Sequence, residues 1–472
     1  MAANLDSVTS PARPEAPAAL PAGGDRLTLR TKLGFGIGDF AFNLYWQATT
    51  LYLLYYYTDV VGLSAATAGW IFGAAMLWDA LCDPVAGFLA NRTRTRWGRY
   101  RPYLLFGCIP LALSFIAMFY PSAATGDRLL ALVLGTHMLF RTAYTVLSMP
   151  YNSLMATLTR SSQERGGLAA ARMVCASSAG LLVALLTLKL VHGFGAGDEK
   201  QGFLAVMTLY AVVSLPVFLL TFLSTEERVQ ADAHTLSVRD ALAVVLRNRA
   251  FLLVCGMSVA LMAAGTFLSK TLPYVLKYAL HREDLIGTAL GVVALQVFIA
   301  VPLWAWLMRR TSKRLVALAG GGLAIGAYAV LGALGTPGVP ALLLLLGVIG
   351  FASAATLLAS WAMIPDTVEY GEWRTGIRGE GTIFGVIAFA QKGALAIAVG
   401  GVGHLLGALG FAANQAQAPA TLDGIWAMLW QGPMALLVVG MVFAYFYPVT
   451  PGMHRDLLHE LGRRRAAAGA AP

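Results

Sequence analysis

Charge is scarce in this chain. Only 12% of its 472 residues are Asp, Glu, Lys or Arg, too few to cover a globule of that size with polar groups. Together with a mean hydropathy of +0.67, this excludes a water-soluble fold. Cysteine is rare as well. Cys82, Cys108, Cys175 and Cys255 stand scattered inside apolar runs, which suits small buried residues and excludes a disulfide framework or a thiolate metal centre. The seven histidines are equally dispersed. No phosphate-binding glycine loop, metal-spaced His cluster or nucleophile elbow occurs in a usable context, so neither an enzyme nor a bound cofactor is expected. The first thirty residues, rich in Ala and Pro, have no basic start and no apolar core; they read as a disordered tail rather than a cleaved signal peptide.

What the chain has in quantity is long apolar sequence. Runs near 33–57, 66–90, 102–121, 128–156, 167–192, 203–224, 249–279, 285–308, 314–335, 340–366, 380–410 and 423–447 each match the roughly 20 residues that cross a bilayer. They lack the alternation of a membrane barrel, and only helices otherwise satisfy the backbone in lipid, so twelve transmembrane helices are expected. The longest polar interruption, "STEERVQADAHTLSVRDALAVVLRNR" at 224–249, divides them into bundles at 31–224 and 249–450. A cytoplasmic linker at 225–248 joins the bundles, and a cytoplasmic tail follows at 451–472.

The net charge of +10 would suggest nucleic acid in a soluble protein, but its placement gives another meaning. Arg30, Lys32, the cluster Arg92, Arg94, Arg96, Arg99 and Arg101, the cluster Arg309, Arg310, Lys313 and Arg314, and Arg463 to Arg465 all fall on one side if the spans alternate. Opposite loops such as "TDVVGLS" at 58–64 are nearly bare of Lys and Arg. The excess of basic residues therefore puts both termini in the cytoplasm and implies the bilayer as partner, not nucleic acid.

The two halves carry a weak repeat: Pro84, Leu89, Arg92, Thr93 and Arg96 share their spacing with Pro302, Leu307, Arg310, Thr311 and Arg314. Inside it, Asp79 and Asp83 correspond to Val297 and Val301. The fold alone does not need acids there. An intramembrane charge costs at least about 2.5–3.5 kcal/mol, so these two point to work done at a cavity or a partner. Four residues apart, they share a helix face and can share a cation or a proton; a helix cap or a pair with a loop arginine is the alternative. Asp39 and Asn43 repeat the spacing in the first span, followed by Tyr45, Trp46 and Gln47. A carboxylate, an amide and an indole on adjacent turns suit a polyol, although the aromatics alternatively pack against neighbouring helices. Span four adds Tyr144, Thr145, Ser148, Tyr151 and Asn152 around Pro150. Arg172 and Lys392 lie alone in spans five and eleven, where each needs an anion, and Asp39, Asp79 and Asp83 are the candidates. The mixed charges of "IPDTVEYGEWRTGIRGEG" at 364–381 read either as a salt-bridged cytoplasmic latch or as a solvated loop joining spans ten and eleven.

The stretches "GDFAFNLYW", "YYYTDVVGLS", "WDALCDPVAGFLANRTRTRWGRYRP", "SMPYNSL" and "IPDTVEYGEWR" resemble the glycoside–pentoside–hexuronide:cation symporters, the melibiose-permease branch of the major facilitator superfamily. The resemblance covers roughly residues 30 to 450. It implies an all-α, two-bundle fold in the bacterial inner membrane that acts as a monomer and takes up a sugar or glycoside, glucuronide- or xyloside-like or another, with Na+ or H+ by alternating access. Carried over by position, Asp79, Asp83 and Thr145 match the cation site, Asp39 a sugar-hydroxyl acceptor, Arg172 and Lys392 basic residues close to the sugar and cation sites, and Asp59 an acid of the outer transport path. From their own placement, Asn43, Trp46, Tyr144, Ser148 and Asn152 join Asp39, Arg172 and Lys392 as candidate sugar contacts, and Arg96, Arg99, Glu369, Glu372 and Arg374 join Asp59 as candidate gating residues. Ser148 and Asn152 replace an acid and a tryptophan of melibiose permease, and Gly38 replaces a lysine, so the galactoside pocket is not reproduced. A lysolipid carrier of the same fold and a nontransporting membrane sensor are the alternatives.

Overall fold

The computed structural model describes residues 26–159, 162–228, 244–335, 337–377 and 379–469. Twelve long helices follow in order: α1 (Leu29–Tyr55), α2 (Ala65–Arg92), α3 (Arg101–Met118), α4 (Gly126–Leu158), α5 (Ser162–Gly195), α6 (Glu199–Ser224), α7 (Arg249–Tyr274), α8 (Ile286–Arg310), α9 (Lys313–Ala333), α10 (Val339–Thr375), α11 (Glu380–Ala408) and α12 (Pro419–Tyr445), with an amphipathic α13 (Pro451–Gly469) behind them. Local chemistry sets several starts. Thr28 accepts from the Thr31 N–H at 3.2 Å, Asn248 from Phe251 at 2.9 Å and Ser312 from Leu315 at 3.1 Å, each cap stabilising its helix by about 1 kcal/mol. Gly376, at φ 72°, closes α10 in the left-handed region that glycine tolerates.

Eleven of these helices are apolar enough to cross a membrane by composition. The exception is α1, where Asp39, Asn43, Gln47 and a run of tyrosines dilute the hydrophobic sequence. At 27 residues it still extends about 40 Å, and its polar side chains are sheltered because α1 packs against α5 and α6. It starts earlier than expected, with Leu29 and Arg30 already helical, and its far end passes into a π-helical turn at Tyr56–Val60. The remaining expected N-terminal tail, 1–25, and the linker core, 229–243, lie outside the described residues.

Helices α1 to α6 form one bundle and α7 to α12 the other, and the two meet along α2 with α11 and α5 with α8. Both seams depend on missing side chains. A Cβ on Gly403 would stand 2.4 Å from the Ala65 carbonyl oxygen, and one on Gly287 2.9 Å from that of Ala184, so backbones approach as small residues allow in membranes. These tight contacts belong to the half of the molecule away from the chain ends, here called the far face. The face carrying the ends holds the basic clusters. There Glu227 accepts the N–H groups of Arg99, Tyr100 and Arg101 at 2.9, 2.7 and 3.1 Å, capping α3 from the end of α6. Lys32, at 2.9 Å, and the Leu27 N–H tie Glu164 to the start of α1 and hold its carboxyl below the usual range.

One expectation needs correction. Residues 364–375 are not a joining loop, because α10 runs unbroken to Thr375. In the C-terminal segment α13 lies back on α10, with His454 Nε2 2.5 Å from Glu369 and Arg464 donating to the Trp373 carbonyl at 3.2 Å.

Candidate functional site

The acids of α2 and the lysine of α11 meet midway through the membrane. Lys392 Nζ lies 2.9 Å from Asp79 and is also hydrogen-bonded to Asp83. Thr145, on α4, donates to Asp79 at 2.6 Å and reaches Asp83 at 3.2 Å. The i, i+4 spacing puts both carboxylates on one face, and Pro84 just beyond them lies inside the helix. Asp79 is sealed, whereas the side chains of Asp83 and Lys392 keep 21% and 18% exposure. Two carboxylates against one ammonium leave one negative charge, with water access on the Asp83 side.

A second knot lies next to it in the same bundle. Arg172 on α5 is hydrogen-bonded to Asp39 on α1, with a further contact of 3.2 Å between Nη2 and Oδ1, and its Nη2 donates to Asn152 on α4 at 2.8 Å. The guanidinium lies 5.0 Å from the centre of the Tyr151 ring. Asn43 turns back onto the Asp39 carbonyl at 2.8 Å, so it buttresses α1. Tyr144 packs edge-on to Phe42 at 5.6 Å and beside Trp46 at 5.9 Å, and Ser148 is buried one turn further along α4. Trp46 also faces a cavity of about 450 Å³ between the bundles, which Gln47, Thr50, Thr266, Ser269 and Gln391 share. Of the expected sugar contacts, then, Trp46 reaches this cavity, and Asp39, Asn152 and Arg172 form a separate polar wall.

The gating residues divide. Asp59, in the π-helical turn, is at the far face and fully paired: Lys277 of the other bundle lies 2.9 Å away, Thr58 donates at 2.6 Å, Tyr278 donates to the same carboxylate, and Asn414 donates to its carbonyl at 2.6 Å. Tyr55 reaches Glu283 across the same seam. Arg96 stacks on Trp97 at 4.2 Å and Arg99 serves the Glu227 cap through its backbone, both within the first bundle. Glu369 pairs with His454, Lys313 holds Asp366 at 2.7 Å, and Glu372 and Arg374 share the last turns of α10. In this structure the cluster braces α13 and α9 to α10 inside one bundle. Asp366, Glu369 and His454 could together hold a metal ion, but Lys313 already serves Asp366.

Sequence reasoning passed over a buried basic group. Arg141 on α4 and Lys270 on α7 have 0% and 1% exposure, and His137 lies one turn from Arg141. A lone Arg in "HMLFRTAY" and a lone Lys in "GTFLSKTLPY" gave the same signal that singled out Arg172 and Lys392, namely a cation too expensive to leave in a span without a task.

Two bundles of six helices around a central cavity, with acid–base contacts linking them in mid-membrane, define a membrane carrier. The chain belongs to the family described as MFS/sugar transport protein, whose model matches residues 34–451. It is 32% identical over 448 residues to the uncharacterized symporter YnaJ of Bacillus subtilis, covering 93% of this chain and 96% of that one. It is 30% identical to the isoprimeverose transporter of Lactiplantibacillus pentosus, with 93% of each chain covered. Against the glucuronide carrier protein homolog of Escherichia coli it is 28% identical, covering 93% and 97%. The solved nucleoside transporter NupG shares the fold at a TM-score of 0.62 and 14% identity, with 89% of this chain and all of that chain covered. The expectation of a major facilitator fold and a transporter rather than an enzyme stands.

Proposed function

We propose that the protein is a symporter in which one monovalent cation, Na+ or H+, binding at Asp79 and Asp83, drives uptake of a sugar or glycoside across the inner membrane. One observation carries this reading: two carboxylates face a single ammonium at Lys392, so one bound cation brings the cluster to neutrality in a low dielectric. The Thr145 hydroxyl, already on both acids, can turn a lone pair to the ion. The substrate lies between Trp46, whose ring offers an apolar face, and the polar wall of Asp39, Asn152 and Arg172, which offers acceptors and donors for hydroxyls. The names of the relatives, an isoprimeverose transporter and a glucuronide carrier homolog among them, favour a glycoside.

The termini lie in the cytoplasm, as the basic loops of that face require. The closed far face is then the outer gate, and the conformation is open inward. Neutralising the acid pair loosens its hold on Lys392 and frees α2 from α11, so that the bundles rock as units about the glycine seams. The carrier works as a single chain. Uptake of labelled xylosides, glucuronides, galactosides and free pentoses into proteoliposomes, with and without an imposed sodium or proton gradient, tests this. Gradient-stimulated accumulation of one sugar class is expected, and equal uptake with and without both gradients would contradict it.

A further inference from the structure

Beside the clasp at Asp59, the far face brings together three metal-ligating side chains drawn from both bundles. His192 lies in the last turn of α5, Glu199 opens α6, and Glu283 starts the short turn Glu283–Leu285 that leads into α8. His192 Nε2 lies 3.8 Å from Glu199 Oε1, and one ligand atom from each of the three residues lies within 4.8 Å of the other two. The turn between α5 and α6 makes half of this arrangement. Gly197, at φ 101°, reverses the chain in a conformation that glycine tolerates. Asp198, not Glu199, caps α6, accepting from the Lys200 N–H at 2.9 Å and the Gln201 N–H at 3.3 Å. Glu199 is thereby left to face the imidazole.

The protein's own cations do not use these ligands up. Lys277 directs its hydrogens to Asp59 at 2.9 Å, to the Tyr55 hydroxyl at 3.1 Å and to Asn414 Oδ1 at 3.1 Å, which leaves Glu283 at 3.6 Å, beyond a hydrogen bond. Tyr55 donates to Oε1 of Glu283, so Oε2 stays open. Arg282, next in the chain, is held by Asp284 at 2.9 Å. The charges bearing on Glu199 are Glu283 and Asp59, of its own sign, against Lys277 and His192. With a neutral imidazole, three carboxylates share one ammonium, and a divalent ion brings the group to neutrality. An imidazole nitrogen with two carboxylate oxygens is a zinc donor set that keeps a fourth position for water, and the imidazole disfavours magnesium and calcium. Tetrahedral ligands about 2.0–2.2 Å from zinc stand about 3.3–3.6 Å apart, so side-chain rotations of about an ångström close the site. The other His–carboxylate group, Asp366, Glu369 and His454, lacks that freedom, because Lys313 holds both oxygens of Asp366 at 2.7 Å.

We propose that His192, Glu199 and Glu283 form a site for a transition-metal dication of the zinc type, which pins the outer gate shut. Two of the ligands belong to the first bundle and the third to the second, so the site is whole only while the far face is closed. A metal ion taken up from the outer side therefore favours this conformation and slows the carrier until it is removed. The gating effect rests on the outer-gate reading above and is independent of which sugar or coupling cation the protein carries.

The experiment titrates zinc into the intact, tag-free, detergent-purified protein after chelator treatment, followed by calorimetry. One ion binds with micromolar affinity, and millimolar magnesium or calcium does not displace it. His192→Ala and Glu283→Gln each weaken binding about tenfold or more, while His454→Ala leaves it unchanged. His192 is half exposed, so its replacement spares the fold. The gate is read by labelling a cysteine placed at Gln47, in a cysteine-free background, with a membrane-impermeant thiol reagent from the outer side. Zinc lowers that labelling several-fold, a chelator restores it, and His192→Ala abolishes the effect. Protection that survives His192→Ala is zinc on the introduced thiol and overturns the gating claim. No binding tighter than about 100 μM, or binding untouched by His192→Ala and lost in His454→Ala, overturns the site. Labelling that answers neither zinc nor Asp59→Asn contradicts the outer-gate reading itself, and the calorimetry then decides the site alone.

Discussion

Two carboxylate–lysine contacts link the bundles, and they are built differently. At the far face Asp59 of the first bundle meets Lys277 of the second with its side chain fully covered, every oxygen served by a fixed donor from Tyr278, Thr58 or Lys277. In mid-membrane Asp79 and Asp83 meet Lys392 with an acid in excess and with Asp83 partly open to water. Both lysines face two acids, for Glu283 stands 3.6 Å from Lys277, but Glu283 lies at the solvent-reached rim and Asp59 has every hydrogen bond filled, whereas Asp79 and Asp83 meet their lysine in mid-membrane and Asp79 Oδ2 has no hydrogen-bond donor. A carboxylate with its hydrogen bonds complete holds two bodies together, and on the proposed reading an incompletely served acid pair deep in the membrane changes its hold when an ion arrives. The same residue types thus serve a clasp in one place and the proposed switch in the other, and the difference lies in depth and in how fully the acids are bonded.

Removing the excess acid breaks the contrast most sharply. Asp79→Asn leaves one carboxylate against one ammonium, and gradient-driven accumulation of sugar in proteoliposomes falls to background. Lys392→Gln moves the other way: two unbalanced acids bind their cation more tightly and release it slowly, so uptake drops about tenfold while the half-saturating cation concentration falls. On the clasp, Asp59→Asn removes the ion pair with Lys277 and turns one accepting oxygen into an NH2 group that cannot accept. Labelling of a cysteine placed at Gln47 by a membrane-impermeant thiol reagent from the outer side, in a cysteine-free background, rises several-fold. Tyr278→Phe deletes the hydrogen bonds to Asp59 and from the Asn414 N–H but keeps the ion pair, and the same labelling rises by less. Equal labelling in both variants would show that the clasp does not set the gate.

Much of the switch was legible in the chain because intramembrane charge is rare and expensive. Asp79, Asp83, Arg172 and Lys392 stood out on that ground, and the repeat with Val297 and Val301 separated chemistry from scaffold. Which cation meets which acid was not legible: Lys392 is more than three hundred residues from Asp83, and only the packing of α2 on α11 brings them together. Nor could the sequence reveal that Asn43 bonds its own backbone, since a polar side chain one turn from a carboxylate looks the same facing a ligand or a carbonyl. The charged end of α10 resembled a loop because its acids and arginines mark solvent exposure, and the helix α13 that covers it follows from α13's own amphipathic face. Arg141 and Lys270 carried the same signal as Lys392, a lone cation inside a span, and were passed over.

The most direct test of the central claim is cation movement accompanying sugar entry. A transported sugar is added to de-energised proteoliposomes while sodium entry is followed by radiolabel and proton entry by an internal pH dye. One cation of one kind should enter with each sugar through the unaltered protein, and none through Asp79→Asn. Sugar entering with no accompanying cation, or cation entry unchanged in Asp79→Asn, would contradict the account.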